Sequence, residues 1–182
     1  MELILTRPRA LYYAEIEALM EIAFPPEERR PVETQRQKAL TEADFRVYAL
    51  TDGGCFVGLL TCWTLPGFVY VEHFAMLPCE RGRGLGRKAL QALFAAVSGP
   101  VVLEVEPPAD ELTSRRVDFY RRSGFVLWTD NAYLQPPYRK GDSPFPLCLM
   151  VHGALDSGRD FPRVRRLIHT RVYGQEDALV SY

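Results

Sequence analysis

An apolar run, "FVYVEHFAML" (residues 68–77), passes through "PCERGRGLGRKAL" into a segment with Ala89, Leu90, Leu93, Phe94 and Val97 at helical spacing. A strand, a glycine-rich turn and an amphipathic helix in direct succession place the chain among mixed α/β folds, where a helix covers one face of a sheet. The turn is also charged. Gly82, Gly84 and Gly86 alternate with Arg83 and Leu85, between Arg81 and Arg87. Such a junction suits a phosphate: the first N–H groups of a helix lack internal partners, and the helix dipole is positive there. Glycines let an anion approach the backbone, and arginines add charge-assisted contacts. The alternative is a plain strand-to-helix turn with exposed arginines. A dinucleotide fingerprint needs GxGxxG, whereas the spacing here is GxGxG, and no GxxxxGK followed by Ser or Thr occurs.

The flanking sequence extends the pattern. Residues 2–6 read as a strand. "LYYAEIEALMEIAF" sets Tyr12, Ile16, Leu19, Met20 and Ala23 on one helical face, stopped by Pro25-Pro26. A polar helix is expected from Pro31 to about Leu40. "FRVYAL" and "CFVGLLTCWTL" form strands joined across Asp52-Gly53-Gly54, and Pro66-Gly67 turns the chain into the strand at 68–77. "PVVLEVE" is a further strand, and "DELTSRRVDFYRRSGF" a helix closed by Gly124. Strands near 125–134 and 146–151 flank a proline-rich loop. A last helix is expected with Asp160 as N-cap, Pro162 near N1 and Gly174 as its stop. The whole reads as one domain over 1–182, with a core at about 1–152 and a C-terminal helix at about 160–173.

With 22 basic and 23 acidic residues the net charge is -1, which argues against a chain built to wrap nucleic acid. Cys55, Cys62, Cys79 and Cys148 form no CxxC pair, His73, His152 and His169 are scattered, and no metal is expected. Cys55 and Cys62, in apolar strand sequence, read as buried reduced thiols. The N-terminus lacks the pattern of a signal peptide, and no window approaches about 20 apolar residues, so a cytoplasmic protein without a membrane span is expected.

"AMLPCERGRGLGRKAL" resembles the acyl-CoA pyrophosphate loop of the GNAT superfamily of N-acyltransferases, Arg/Gln-x-x-Gly-x-Gly/Ala, at Arg81, Gly84 and Gly86. "VDFYRRSGF" resembles the family's later Tyr-x-x-x-Gly-Phe at Tyr120, Gly124 and Phe125, and "VLEVE" its Leu-Glu-Val strand. The element order agrees from residue 2 to about 151. Many members carry Asn seven residues before the tyrosine, holding the pantetheine arm; this chain has Thr113 there. The resemblance implies a single α/β (α+β) GNAT-like domain, its mixed central sheet flanked by helices and its fourth and fifth strands splayed around acyl-CoA. It implies that the pantetheine pairs with the backbone of Phe74, Ala75 and Met76. The diphosphate would sit on the N–H groups of Gly82, Arg83, Gly84, Leu85 and Gly86, with Arg81, Arg83 and Arg87 around it.

The activity so implied is transfer of an acetyl group from acetyl-CoA to a primary amine of a small molecule or peptide by direct attack. A user of longer acyl-CoA and a CoA-binding module without catalysis are the alternatives. An amine with a pKa near 10.4 must lose a proton at a cost of about 4–5 kcal/mol at pH 7, and a thiolate must leave. Tyr120 matches the family position often assigned as the acid for the thiolate; otherwise it is a core aromatic. Two carboxylates compete as base, each inside an apolar strand where a charge is costly. Glu104 resembles the glutamate of ribosomal-protein alanine acetyltransferases. Glu72 is slightly preferred, because its own strand would bind the pantetheine. A buried ion pair or a strand-end surface position is the other reading of each, and Glu106 is assigned to the surface.

The acceptor would be bordered by "FPPEERRP" and "AYLQPPYRKG", where Glu27, Glu28, Tyr133 and Tyr138 could receive a cationic amine; solvated loops are the simpler reading. The last helix sets Arg159, Arg163, Arg165, Arg166 and Arg171 over an apolar face of Phe161, Val164, Ile168 and Val172. Solvated arginines above a docked face account for it, with nucleic-acid binding or a homodimer contact as alternatives.

Overall fold

The computed structural model describes residues 1–139 and 141–175. In chain order the elements are β1 (Glu2–Thr6), α1 (Tyr13–Ala23), α2 (Val32–Thr41), β2 (Phe45–Asp52), β3 (Cys55–Leu65) and β4 (Phe68–Met76). They continue with α3 (Leu85–Ala96), β5 (Val101–Val105), α4 (Glu111–Arg122), β6 (Val126–Gln135), β7 (Phe145–His152) and α5 (Ser157–Leu167). The strands make one mixed sheet in the order β1-β2-β3-β4-β5-β7-β6. The chain divides into two compact units.

The first unit holds Met1–Thr64 and Val71–Ser98. Here β1 runs antiparallel to β2 and β2 to β3, with an irregularity between Leu50 and Thr51. The β2–β3 hairpin turns on Gly53 and Gly54, both at positive φ, as a tight hairpin requires. Alternation in the first half of β2 buries Val47 and Ala49, β3 is buried on both faces at Leu59 and Leu60, and α1 and α3 bury Ile16, Leu19, Leu90 and Leu93. The α1 helix starts one residue later than its spacing predicts. Tyr12 is the left-handed N-cap, its hydroxyl donating to the Gly54 carbonyl at 2.8 Å, and Tyr13 takes the buried position. Cys55 is exposed beside the hairpin turn rather than buried, whereas Cys62 is buried.

The second unit holds Leu65–Tyr70 and the described residues from Gly99 onward. Central β7 pairs antiparallel with β5 and with β6, and Val69 N–H donates to the Pro100 carbonyl at 2.9 Å. The β6–β7 register breaks between Trp128 and Tyr133, and the freed segment meets the start of α5: Asn131 Nδ2 donates to the Ser157 carbonyl, and Ser157 Oγ to Asp130. Asp156, not Asp160, caps α5, accepting from Arg159 N–H at 2.8 Å, while Asp160 accepts in turn from Asp156 N–H at 2.9 Å. This reciprocal cap starts the helix a turn earlier than the sequence implies, so Pro162 lies inside it and forgoes one intrahelical hydrogen bond.

Candidate active site

In the first unit, β4 ends in a 3₁₀ turn (Pro78–Glu80) that feeds the glycine stretch. Gly82 and Gly84 both sit at φ 76°, and Gly84 is the N-cap of α3 with no side chain capping the helix. A Cβ placed on either glycine would meet nothing within 4 Å, so the space beside this backbone is open. The N–H groups of Leu85, Gly86 and Arg87 have no acceptor within the helix. Arg81, Arg83 and Arg87 are all exposed around them. Arg81 donates to the Met76 carbonyl at 3.3 Å, and Arg83 bridges to Glu80 at 2.5 Å. The result is a cationic turn of bare backbone donors, which fits a diphosphate. Upstream, Ala75 is buried while Phe74 and Met76 are half-buried. The sequence reading passed over Gly58: a Cβ there would come within 2.5 Å of the Ala75 carbonyl, so Gly58 lets β3 approach β4 closely. A glycine inside an apolar strand was the available signal.

Glu72 points into the first unit's interior, its side chain fully buried. One carboxylate oxygen meets Arg30 Nη1 at 2.5 Å and the other accepts from Trp63 Nε1 at 2.9 Å. Arg30 is buried too, and its guanidinium lies 5.6 Å from the Trp63 ring centre. Both carboxylate oxygens are therefore engaged. The neighbouring His73 is buried between the Thr61 hydroxyl and the Glu28 carbonyl, each 3.1 Å away. Burial is the main cause that lowers its pKa, with the Glu72 charge opposing, so its ring is neutral at pH 7. Arg30 lies in the quoted loop, yet its pairing with Glu72 had no local signal. A shallow cleft lies between α1, α2 and this pair, lined by Ile16, Met20, Gln35, Arg30 and His73 among others. Glu27 and Glu28 are exposed on a 3₁₀ turn.

In the second unit Glu104 gathers tyrosines. Tyr133 donates its hydroxyl to Oε1, and Tyr173 donates to Oε2 at 2.8 Å. The hydroxyls of Tyr70 and Tyr173 are 3.3 Å apart, and the Tyr138 ring lies 5.0 Å from that of Tyr173. Burial first, then the Glu104 charge, raises the pKa of Tyr133 and of Tyr173 well above the usual phenol range, so both keep their protons as donors. Tyr173 was not foreseen as part of any site. Glu106 is bound by Arg116 at the half-exposed surface.

Tyr120 is buried on α4, edge-on to Phe119 and Phe125. Burial is the main cause that pushes its phenol up to about 12, with the Arg116 charge opposing. Thr113 stands at the third position of α4, where its hydroxyl accepts from Ala109 and Asp110 N–H and donates to Asp110. With the Asp110 carboxylate accepting from Thr113 N–H, this is a capping box, and the hydroxyl is occupied by it. Among the described residues no three His, Cys, Asp or Glu side chains are grouped to hold a metal, and no helix is long and apolar enough to cross a membrane.

Comparison with known proteins places the fold. A putative GNAT-family acetyltransferase from Bacteroides thetaiotaomicron is 38% identical, with 97% of this chain and 100% of that chain covered at a TM-score of 0.93. A Bacillus subtilis acetyltransferase in complex with CoA is 14% identical over 85% of this chain and 99% of that one, TM-score 0.57. Arabidopsis thaliana Naa50 in complex with the bisubstrate analogue CoA-Ac-MVNAL is 18% identical over 85% and 100%, also at 0.57. No curated protein sequence matches. The model of the acetyltransferase (GNAT) family matches residues 12–125, from the start of α1 through the glycine turn to Phe125, and the chain belongs to that family.

Proposed function

We propose that the protein is an N-acetyltransferase that moves an acetyl group from acetyl-CoA to a primary amine of a small molecule or peptide. One observation carries the reading: the uncapped N-terminus of α3, with open space beside Gly82 and Gly84 and three exposed arginines around them. That turn would take the diphosphate of CoA on the N–H groups from Gly82 to Gly86, and the β4 backbone at Phe74, Ala75 and Met76 would take the pantetheine. With its hydroxyl in the capping box, Thr113 would contribute by ordering the start of α4.

Of the two carboxylates, Glu104 is the better base. Glu72 is closed inside an ion pair with Arg30, and using it would mean breaking that pair. Glu104 is held as a charged acceptor by phenols that keep their protons. In the reaction the ammonium proton passes to the Glu104 carboxylate, the neutral nitrogen bonds to the thioester carbonyl carbon, and the C–S bond breaks to release CoA thiolate, which takes up the second nitrogen proton by way of solvent. Tyr120, with a pKa near 12, is a weak acid against a thiol of about 8.5; full transfer would be uphill by about 5 kcal/mol. Its role is therefore a hydrogen bond to sulfur as charge develops, with solvent completing the protonation. The four cysteines are unpaired, in keeping with a reducing, cytoplasmic setting.

The test is release of free thiol from acetyl-CoA across a panel of primary amines, including peptides with free N-termini. Turnover with at least one amine is expected. Tight CoA binding without turnover on any amine would leave a binding module instead, and turnover only with longer acyl-CoA would change the donor.

A further inference from the structure

The family match ends at Phe125, yet a residue from beyond α5 reaches Glu104. After Leu167 the helix widens into a π-turn over Ile168–Val172, closed by Tyr173 N–H donating to the Ile168 carbonyl at 3.4 Å. Ile168 and Val172 are buried and anchor this turn, and Tyr173 leaves it with its hydroxyl 2.8 Å from Glu104 Oε2. Turns of this kind are rare, and they concentrate at functional sites.

We propose that Tyr173 is a positioning residue for Glu104: it holds the carboxylate charged until the amine proton arrives, then turns its own hydroxyl to accommodate the neutral acid. The proposal rests on Glu104 being the base. In the charged state Tyr133 and Tyr173 each donate to one carboxylate oxygen, which favours the anion against the desolvation that burial imposes. When Glu104 gains a proton at Oε2, that oxygen becomes a donor and must find an acceptor. Tyr173 Oη is in place, provided its hydrogen swings away, and Tyr70 Oη at 3.3 Å is there to accept it. The exchange moves hydrogen bonds only; no further group gains or loses a proton.

The titratable groups around this pair come from every neighbouring element. Tyr70 lies on β4, Tyr133 on β6 and Tyr138 in the loop after it; Arg165 from α5 acts on Tyr133, and the His169 ring lies 5.5 Å from that of Tyr133. On β7, Leu149 is the register partner of Glu104, with Cys148 beside it. Glu106, just past the end of β5, is paired with Arg116.

The experiment compares pH profiles of kcat, at saturating acetyl-CoA and amine, for the wild type, Tyr173→Phe and Glu104→Gln. Tyr173→Phe keeps the ring against Tyr138 and removes one donor to the charged carboxylate, so the acid limb should move up by about one pH unit. The KM for acetyl-CoA should change little, while the plateau should fall modestly, because the protonated carboxyl also loses its acceptor. A uniform drop in kcat with an unshifted limb would overturn the proposal, because a merely structural role has that signature. If Tyr173→Phe does not fold, a fluorinated tyrosine at position 173, a stronger donor of nearly the same shape, should move the limb down; an unmoved limb again overturns it. Glu104→Gln separates the two levels. If it stays fully active, the base assignment itself fails; if it is inactive while the Tyr173→Phe profile overlays the wild type, only the role of Tyr173 falls.

Discussion

Replacing Arg30 by Met tests whether Glu72 belongs to the scaffold. The Arg30 and Glu72 side chains are 4% and 0% exposed, and the Nη1–Oε1 separation is 2.5 Å. Met keeps an apolar stem for the Trp63 ring but removes the positive charge, so Glu72 is left buried and anionic. Removing one partner of such a pair costs about 3–5 kcal/mol, whereas removing both charges is close to neutral. At about 2–4 °C per kcal/mol for a chain of this size, the melting temperature should fall by roughly 10 °C. Urea unfolding should show a lower midpoint with an unchanged slope. The loss should also depend on pH. Without Arg30 the folded-state pKa of Glu72 rises above its unfolded value, so the native state binds the extra proton and the deficit shrinks as pH falls towards 5. The double variant Arg30→Met/Glu72→Gln, which still offers an oxygen to Trp63 Nε1, should recover at least half of the loss. An Arg30→Met protein within about 1 kcal/mol of wild type would refute the view that this pair is a sealed structural unit.

Three other outcomes are expected. Gly84→Asp puts a negative side chain at the open turn and should weaken CoA binding at least tenfold, about 1.4 kcal/mol by calorimetry, whereas Gly84→Ala, which shares the strain of φ 76°, should lose less. Tyr120→Phe should fold normally and lower kcat by about 10- to 100-fold, the worth of one charge-assisted hydrogen bond; wild-type kcat with chemistry rate-limiting would reduce Tyr120 to packing. His73, whose folded pKa lies below its ordinary 6.5, takes up its proton first in the unfolded chain. Stability should therefore be complete above pH 6.5 and fall below it, and His73→Gln should flatten that decline in denaturant titrations.

Local regularity was legible in the sequence, and pairing across distance was not. Apolar runs between turn residues located the strands, the Gly53-Gly54 turn announced its hairpin, and the glycine stretch lies where strand gives way to helix. Both glutamates stood out as charges in apolar strands, but alternation says only which face a side chain takes. What separates them is the partner each meets: Arg30, 42 residues before Glu72, and Tyr173, 69 residues after Glu104. No local propensity links such positions. The strand that favours Glu72 in the sequence carries no trace of its ion pair with Arg30. The α5 cap misled for a local reason: Asp156 and Asp160 are both acceptable caps, and the proline two residues after Asp160 favoured the wrong one. The π-turn that delivers Tyr173 has no sequence signature, since Ile168 and Val172 continue the helical spacing through it.

The most direct test of Glu104 as the base is the pH dependence of kcat/KM for Glu104→Gln beside Glu72→Gln, with one amine acceptor and both variants verified as folded. If Glu104 takes the amine proton, Glu104→Gln should lose activity steeply near pH 7, by about 10²–10⁴-fold, and recover part of it towards pH 9–10, where more of the amine is already neutral. Glu72→Gln should show a smaller loss with no alkaline recovery. Alkaline rescue in Glu72→Gln alone, or near wild-type activity of Glu104→Gln at pH 7, would contradict the account.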